Sequence, residues 1–159
     1  MSMIEILSDQ EIMNVVSNSV VGRLGCHADG KTYVVPISFA YDSGYIYART
    51  FEGMKIEMMR KNPEVCFQVD DMQSMADWKS VILWGAFEEL KKKADREMGL
   101  KILLSRILPN VSSETVKFTP EWPFASGNLS EIEGIVFRIR VREMSGRMEK
   151  PDVELYINW

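Results

Sequence analysis

The chain has 159 residues, a formal net charge of −4, 46% hydrophobic and 26% charged residues. That is enough for one domain with a sizeable core, and the acidic balance excludes a general nucleic-acid binder, which needs a basic surface to displace counterions from phosphates. No apolar run reaches the roughly 20 residues of a membrane-spanning helix, and the start lacks the basic-then-apolar pattern of a signal peptide, so a cytoplasmic protein without a membrane partner is expected.

Ser8-Asp9-Gln10-Glu11 opens a helix, with Ser8 as cap and Glu11 completing a capping box. Its apolar positions Ile12, Met13, Val15 and Val16 predict an amphipathic helix ending near Asn18. Val21–Ala28 reads as a strand, and Asp29-Gly30 as a hairpin turn. In the next strand Tyr33, Val35, Ile37, Phe39 and Tyr41 share one face; Val34, Pro36, Ser38 and Ala40 share the other. Pro36 cannot donate to a ladder, so this strand is expected at an edge or bulged there, leaving a neighbouring backbone group open to another partner. Asp42-Ser43-Gly44 turns into a strand over 45–49, and a helix is expected from about Gly53 to Lys61, stopped by Asn62-Pro63. Gly53 and Lys55 stand where that helix begins, just after Arg49 and Thr50. Free backbone N–H groups and the positive dipole end suit such a place to a phosphate; a surface helix with a lysine in its first turn is the plainer reading of the same spacing.

Val65–Val69 predicts a strand, residues 70–77 a polar loop, and Trp78–Leu90 a long strand bent or bulged at Gly85. Lys91–Leu108 predicts a helix whose apolar face carries Met98, Ile102, Leu103 and Ile107, with Lys91 to Lys93 as a solvated first turn. Residues 109–131 read as irregular. Ile135–Arg142 alternates cleanly, with Ile135, Phe137, Ile139 and Val141 on one face. Arg138, Arg140 and Arg142 are on the other, as a solvated face or an anion site. The tail from Met144 to Trp159 ends in apolar residues expected to dock on the body or a second chain. Cys26, Cys66 and His27 are too few for a four-ligand metal site and lack C-x-x-C spacing, so no metal is expected. Both cysteines read as buried packing residues, unpaired in a reducing compartment. Five or six short strands with two or three helices and glycine bends predict a mainly β single domain over 1–159: a small antiparallel barrel with flanking helices.

The order G-R-L at 22–24, D-G at 29–30, Y-V-V-P-I-S-F at 33–39, G-Y-I-Y at 44–47, E-G-M-K at 52–55, N-P-E-V-C-F-Q-V-D at 62–70 and W-K-S-V-I-L-W-G-A-F-E-E-L at 78–90 resembles the pyridoxamine 5′-phosphate oxidase-like, FMN-binding split-barrel superfamily. Its nitroimidazole-resistance-like flavoproteins are the nearest branch. The resemblance implies an antiparallel split β-barrel homodimer with FMN at the subunit interface and a small-molecule substrate. It places Val34, Val35, Pro36, Ile37 and Ser38 along the flavin ring and ribityl chain. Ala48, Arg49 and Thr50 fall near the ribityl phosphate, Lys55 on the phosphate, and Ser80 and Trp84 on a strand reaching the flavin from the other subunit. Met54 replaces the arginine that precedes the lysine in the oxidase branch, so phosphate binding is either weaker or completed by Arg49. Arg49 also replaces the histidine of nitroimidazole reductases, and the oxidases' C-terminal Trp and Arg motif is not recognisable, which argues against carrying either substrate over.

An FMN-dependent oxidoreductase is therefore expected, its chemistry carried by the flavin, with Arg49 and His27 as catalytic candidates and Tyr47 and Trp84 as further substrate-side residues. Each also has a structural reading, a hydrogen-bonded strand residue for His27 and core for Tyr47 and Trp84; Arg49 is the best candidate, because a charged residue amid apolar strand positions needs an anionic partner. The alternatives are a flavin store or sensor without turnover, and the same barrel holding a deazaflavin or haem.

Overall fold

The computed structural model describes residues 4–106 and 128–152. Along them run β1 (Glu5–Ile6), α1 (Asp9–Asn18), β2 (Val21–Ala28), β3 (Lys31–Asp42), β4 (Tyr45–Thr50), α2 (Met54–Lys61), β5 (Glu64–Ser74), β6 (Asp77–Glu89), α3 (Lys93–Ser105), a 3-10 turn (Leu129–Glu131) and β7 (Ile135–Glu149). All strand pairings are antiparallel, in the order β1-β7-β4-β3-β2-β5-β6. β6 also pairs with β7, which closes the sheet on itself. This is the split barrel with flanking helices. No described helix is long and apolar enough to cross a membrane.

Alternation along the strands decides what fills the barrel. Leu24, Phe39, Ile46, Phe67, Leu83 and Phe137 are buried inside, with the Phe39 and Phe67 rings edge to face at 5.0 Å. A second apolar layer, including Ala40, Tyr47, Leu100, Leu103 and Val136, lies between the outer face of the sheet and α3. Tyr47 is accordingly core. The arginines of β7 project outward: Arg138 lies 4.2 Å over the Tyr45 ring and 3.6 Å from Glu88, Arg142 pairs with Glu64, and Arg140 is exposed. Two of the three are thus matched to carboxylates, which favours a solvated face over an anion site.

The N-terminal helix forms as expected. Ser8 Oγ accepts from Glu11 N–H at 3.3 Å and Glu11 Oε2 accepts from Ser8 N–H at 2.8 Å. Ser8→Ala should cost about 1 kcal/mol in urea unfolding; an unchanged midpoint would mean that packing of Ile12, Val15 and Val16 alone holds the helix.

Several expectations are corrected. The segment read as a polar loop is β-hairpin: β5 continues to Ser74 and pairs with β6 through Ser74↔Asp77. α3 buries Gly99, Leu100 and Leu103, whereas Met98 is 37% exposed. Ile107 lies outside the described residues. Residues 144–149, read as tail, extend β7, and the tail's last seven residues lie outside the described set, as does most of the irregular stretch 109–131. Cys26 is buried, but Cys66 projects to the outer face and is only half-buried; both are free thiols.

Candidate functional site

The barrel is split beside β3. Of its twelve residues only Phe39–Asp42 pair with β4, while Lys31–Ser38 pair, among the described residues, with β2 alone. β3 therefore presents an open edge about 25 Å long. Phe39 N–H donates to Val20 O at 3.0 Å, which fixes the phase of the ladder. Antiparallel pairs alternate, so Val35 and Ile37 turn their backbone groups toward β2, and Val34, Pro36 and Ser38 turn theirs to the open edge. Pro36 sits where a missing N–H costs the β2 ladder nothing. The edge location expected from that proline is what the fold shows. Val35 and Ile37 instead face the barrel, Ile37 within the core.

Across the split, β4 ends at Thr50 and the chain passes through Phe51, Glu52 and Gly53 into α2. The Arg60 guanidinium holds this loop: it donates to both Glu52 oxygens at 2.9 and 3.0 Å and to Glu89 Oε1 at 2.6 and 2.9 Å. Ala48 is fully buried in the barrel core and offers backbone only. Thr50 is half-buried at the mouth.

Lys55 rises from the first turn of α2. Burial pushes the Cys26 thiol up, and the Lys55 charge pulls the other way. Among the described residues no carboxylate lies within ion-pair distance of Lys55, although Lys61 on the same helix bonds Asp29 at 2.7 Å. A half-buried lysine at a helix N-terminus, with no carboxylate partner among the described residues, fits a phosphate.

Arg49 Nε donates to Glu133 O at 2.6 Å, and its guanidinium stands 5.1 Å over the Phe51 ring. It thus leans along the loop that leads into α2. Burial first, and then the charge of Arg96, hold it below the ordinary arginine range. Two arginines that sequence reasoning missed lie close by. Arg96 on α3 donates to the carbonyls of Ile132 and Gly134. Arg106, pushed down to about 10 by burial, donates to Ser38 Oγ at 2.6 Å and Phe39 O at 2.9 Å, and lines a cavity of about 490 Å³ with Val16, Val20, Ala40 and Ile102. Nothing in their local pattern marked them, since their partners are far along the chain.

His27, Ser80 and Trp84 are not brought to this cleft. His27 is exposed near the β2–β3 hairpin, its carbonyl accepting from Asn62 Nδ2 at 2.9 Å. Ser80 Oγ accepts from Gln68 Nε2 at 3.0 Å. Trp84 stands on the outer face, 37% exposed, in a row that crosses the sheet as Val34↔Gly25↔Cys66↔Trp84. That is an outward position, where sequence reading had assigned core. Three strand spacings, about 14 Å, separate β6 from β3 along the sheet.

The model of the pyridoxamine 5′-phosphate oxidase family matches residues 8–148. A crystal structure of a FAD-binding protein from Mesorhizobium loti is 35% identical, covering 93% of this chain and 99% of that one, with a TM-score of 0.71. A 5-nitroimidazole antibiotic resistance protein from Bacteroides thetaiotaomicron shares the fold at 19% identity and a TM-score of 0.71, covering 92% and 88% of the two chains. An uncharacterised protein of Rhizobium meliloti (strain 1021) is 36% identical over 87 residues, which are 55% of this chain and 58% of that protein's length.

Proposed function

This chain belongs to the pyridoxamine 5′-phosphate oxidase family, and from that premise we propose that it is a flavoprotein holding FMN along the open edge of β3 and acting as an oxidoreductase on a small organic substrate. The open edge is the observation that carries the reading. Val34, Pro36 and Ser38 turn backbone groups with no strand partner among the described residues toward the split, and Lys55, at the start of α2, has no carboxylate partner among them. A bound flavin supplies the electron chemistry. The chain's own groups bind and orient it: the backbone at Val34, Pro36 and Ser38 meets the polar rim of the ring and ribityl chain, while Lys55 and Arg49 meet the phosphate. No described side chain is placed as an obvious proton donor or acceptor at the edge, which suits transfer at the flavin itself.

The reading extends to a homodimer. Ser80 and Trp84 are three strands from the cleft in one chain, so a second copy would have to bring them to the flavin. Val34 at 62% exposure, with Ile82 and Trp84, leaves apolar surface on the face that copy would cover.

Releasing the flavin from the purified full chain by heat and identifying it by chromatography tests the proposal. One FMN per chain is expected, with bleaching by a nicotinamide donor under anaerobic conditions and recovery on adding an acceptor. FAD in its place would keep the flavin and overturn the choice of FMN, an alternative raised by the FAD-binding relative. Failure to take up either at micromolar concentration would sink the reading, and bound flavin that no donor bleaches would leave a store or sensor.

A further inference from the structure

We infer that Arg96 on α3 is a positioning residue that aims Arg49 at the flavin phosphate, acting through the backbone turn 132–134. The inference rests on the reading that Arg49 faces that phosphate.

Three successive carbonyls of one turn are taken by two guanidinium groups. Arg96 Nη2 bonds Ile132 O and, at 3.1 Å, Gly134 O; Arg49 Nε bonds Glu133 O, between them in sequence, at 2.6 Å. The turn is pressed against the end of β4. Gly134 has φ +102, and a Cβ there would stand 2.8 Å from Thr50 O and 3.3 Å from Arg49 Nε. Only glycine allows both that conformation and that approach. Immediately after it β7 enters its ladder with β4, Ile135 opposite Thr50 and Val136 opposite Arg49. The Glu133 carbonyl that orients Arg49 is thus fixed on one side by the β4–β7 ladder and on the other by Arg96.

Arg96 is also not an ordinary surface cation. It is part-buried, it donates to two carbonyls, and among the described residues no carboxylate lies within ion-pair distance of it. A part-buried guanidinium is costly unless it is hydrogen-bonded, and here Nη2 is shared between two carbonyls of one turn. Its charge is close enough to be felt at Arg49. The sequence placed Arg49 near the phosphate only through resemblance; the turn explains how a long, flexible side chain is held ready there.

FMN and riboflavin, which differ only by the phosphate, are titrated into the flavin-stripped full chain and followed by flavin fluorescence. The proteins compared are wild type, Arg49→Gln, Arg96→Gln, Arg96→Lys and the double variant Arg49→Gln/Arg96→Gln. Wild type should prefer FMN. Arg96→Gln should lower FMN affinity about tenfold, the scale of one charge-assisted contact, and leave riboflavin affinity unchanged. Arg96→Lys, keeping one donor for one carbonyl, should fall between. The double variant should be no weaker than Arg49→Gln alone, because both changes disable one contact. Equal losses for both ligands would reduce Arg96 to a structural prop, and additive losses would show that it acts apart from Arg49; either overturns the inference. If Arg96→Gln does not fold, Arg96→Lys carries the test alone, and an unchanged preference for FMN in it overturns the inference. A wild-type chain that binds FMN no better than riboflavin would overturn the phosphate reading itself, before any variant is compared.

Discussion

Lys55→Ala should weaken FMN binding by on the order of tenfold to a hundredfold while leaving riboflavin binding intact, since a hydrogen bond to a charged group contributes about 1.5–3 kcal/mol. The contrast along α2 is the reason. The cations of its last turn are matched, Arg60 to Glu52 and Glu89, Lys61 to Asp29. Lys55, in the first turn, has no such partner among the described residues and is half-buried. Helical N–H groups there add to its field: the first intrahelical bond is Glu57 N–H to Gly53 O at 3.1 Å, so the amides before it remain for a ligand. Alanine keeps the helix propensity, and the flavin-free variant should melt with wild type. Added salt should erode wild-type affinity more than that of the variant, because part of the attraction is long-range charge. Unchanged FMN affinity in Lys55→Ala would show that the phosphate sits elsewhere.

What could be read before the fold was known was local. Ser8 and Glu11 are three residues apart, and their reciprocal bonds need nothing else. Pro36 states its own constraint, because a residue without N–H must face away from a ladder, and the open edge of β3 follows. The alternation of Ile135, Phe137, Ile139 and Val141 needs only the pleat. What escaped depends on partners distant in sequence. Residues 70–74 carry no apolar alternation and form strand only because residues 77–80 lie alongside them. In α3 the large side chains Met98 and Ile102 drew attention, yet the helix turns Gly99 inward: a Cβ there would meet Leu90 and Val136 at 3.0 Å and Tyr47 at 3.4 Å. Hydrophobic periodicity cannot score a glycine that is buried for closeness. The candidate site divides the same way. Lys55 and the β3 edge are legible from neighbours, while Arg96 and Arg106 meet their partners 36 and 68 residues away. Ser80 and Trp84 lie on β6, three strands along the sheet from that edge.

Gly85→Ala should destabilise the fold by about 3 kcal/mol, read as a lower urea midpoint, because the strand has no room for the added carbon. A Cβ at Gly85 would lie 2.2 Å from Arg140 O, 2.8 Å from Arg140 C and 2.9 Å from Ile139 Cγ2. Two of these are backbone atoms of β7, which cannot swing aside as a side-chain tip could. The contact is tight because β6 and β7 change register there: Trp84 pairs with Glu143, but Gly85 pairs with Val141, leaving Arg142 as the extra residue of a bulge. The bulge reverses which residues of β7 face inward. Before it the odd-numbered Phe137 and Ile139 fill the barrel; after it the even-numbered Gly146 and Met148 do. Relieving the clash by straightening the strand would therefore turn Met148 out of the core and move Gly146 away from Leu7 and Ile12, against which it packs. The protein must either push β7 off β6 where the barrel closes or lose the inward set beyond the bulge. A Gly85→Ala variant as stable as wild type would show that β7 can draw back without cost, and the closure of the barrel would then not depend on this approach.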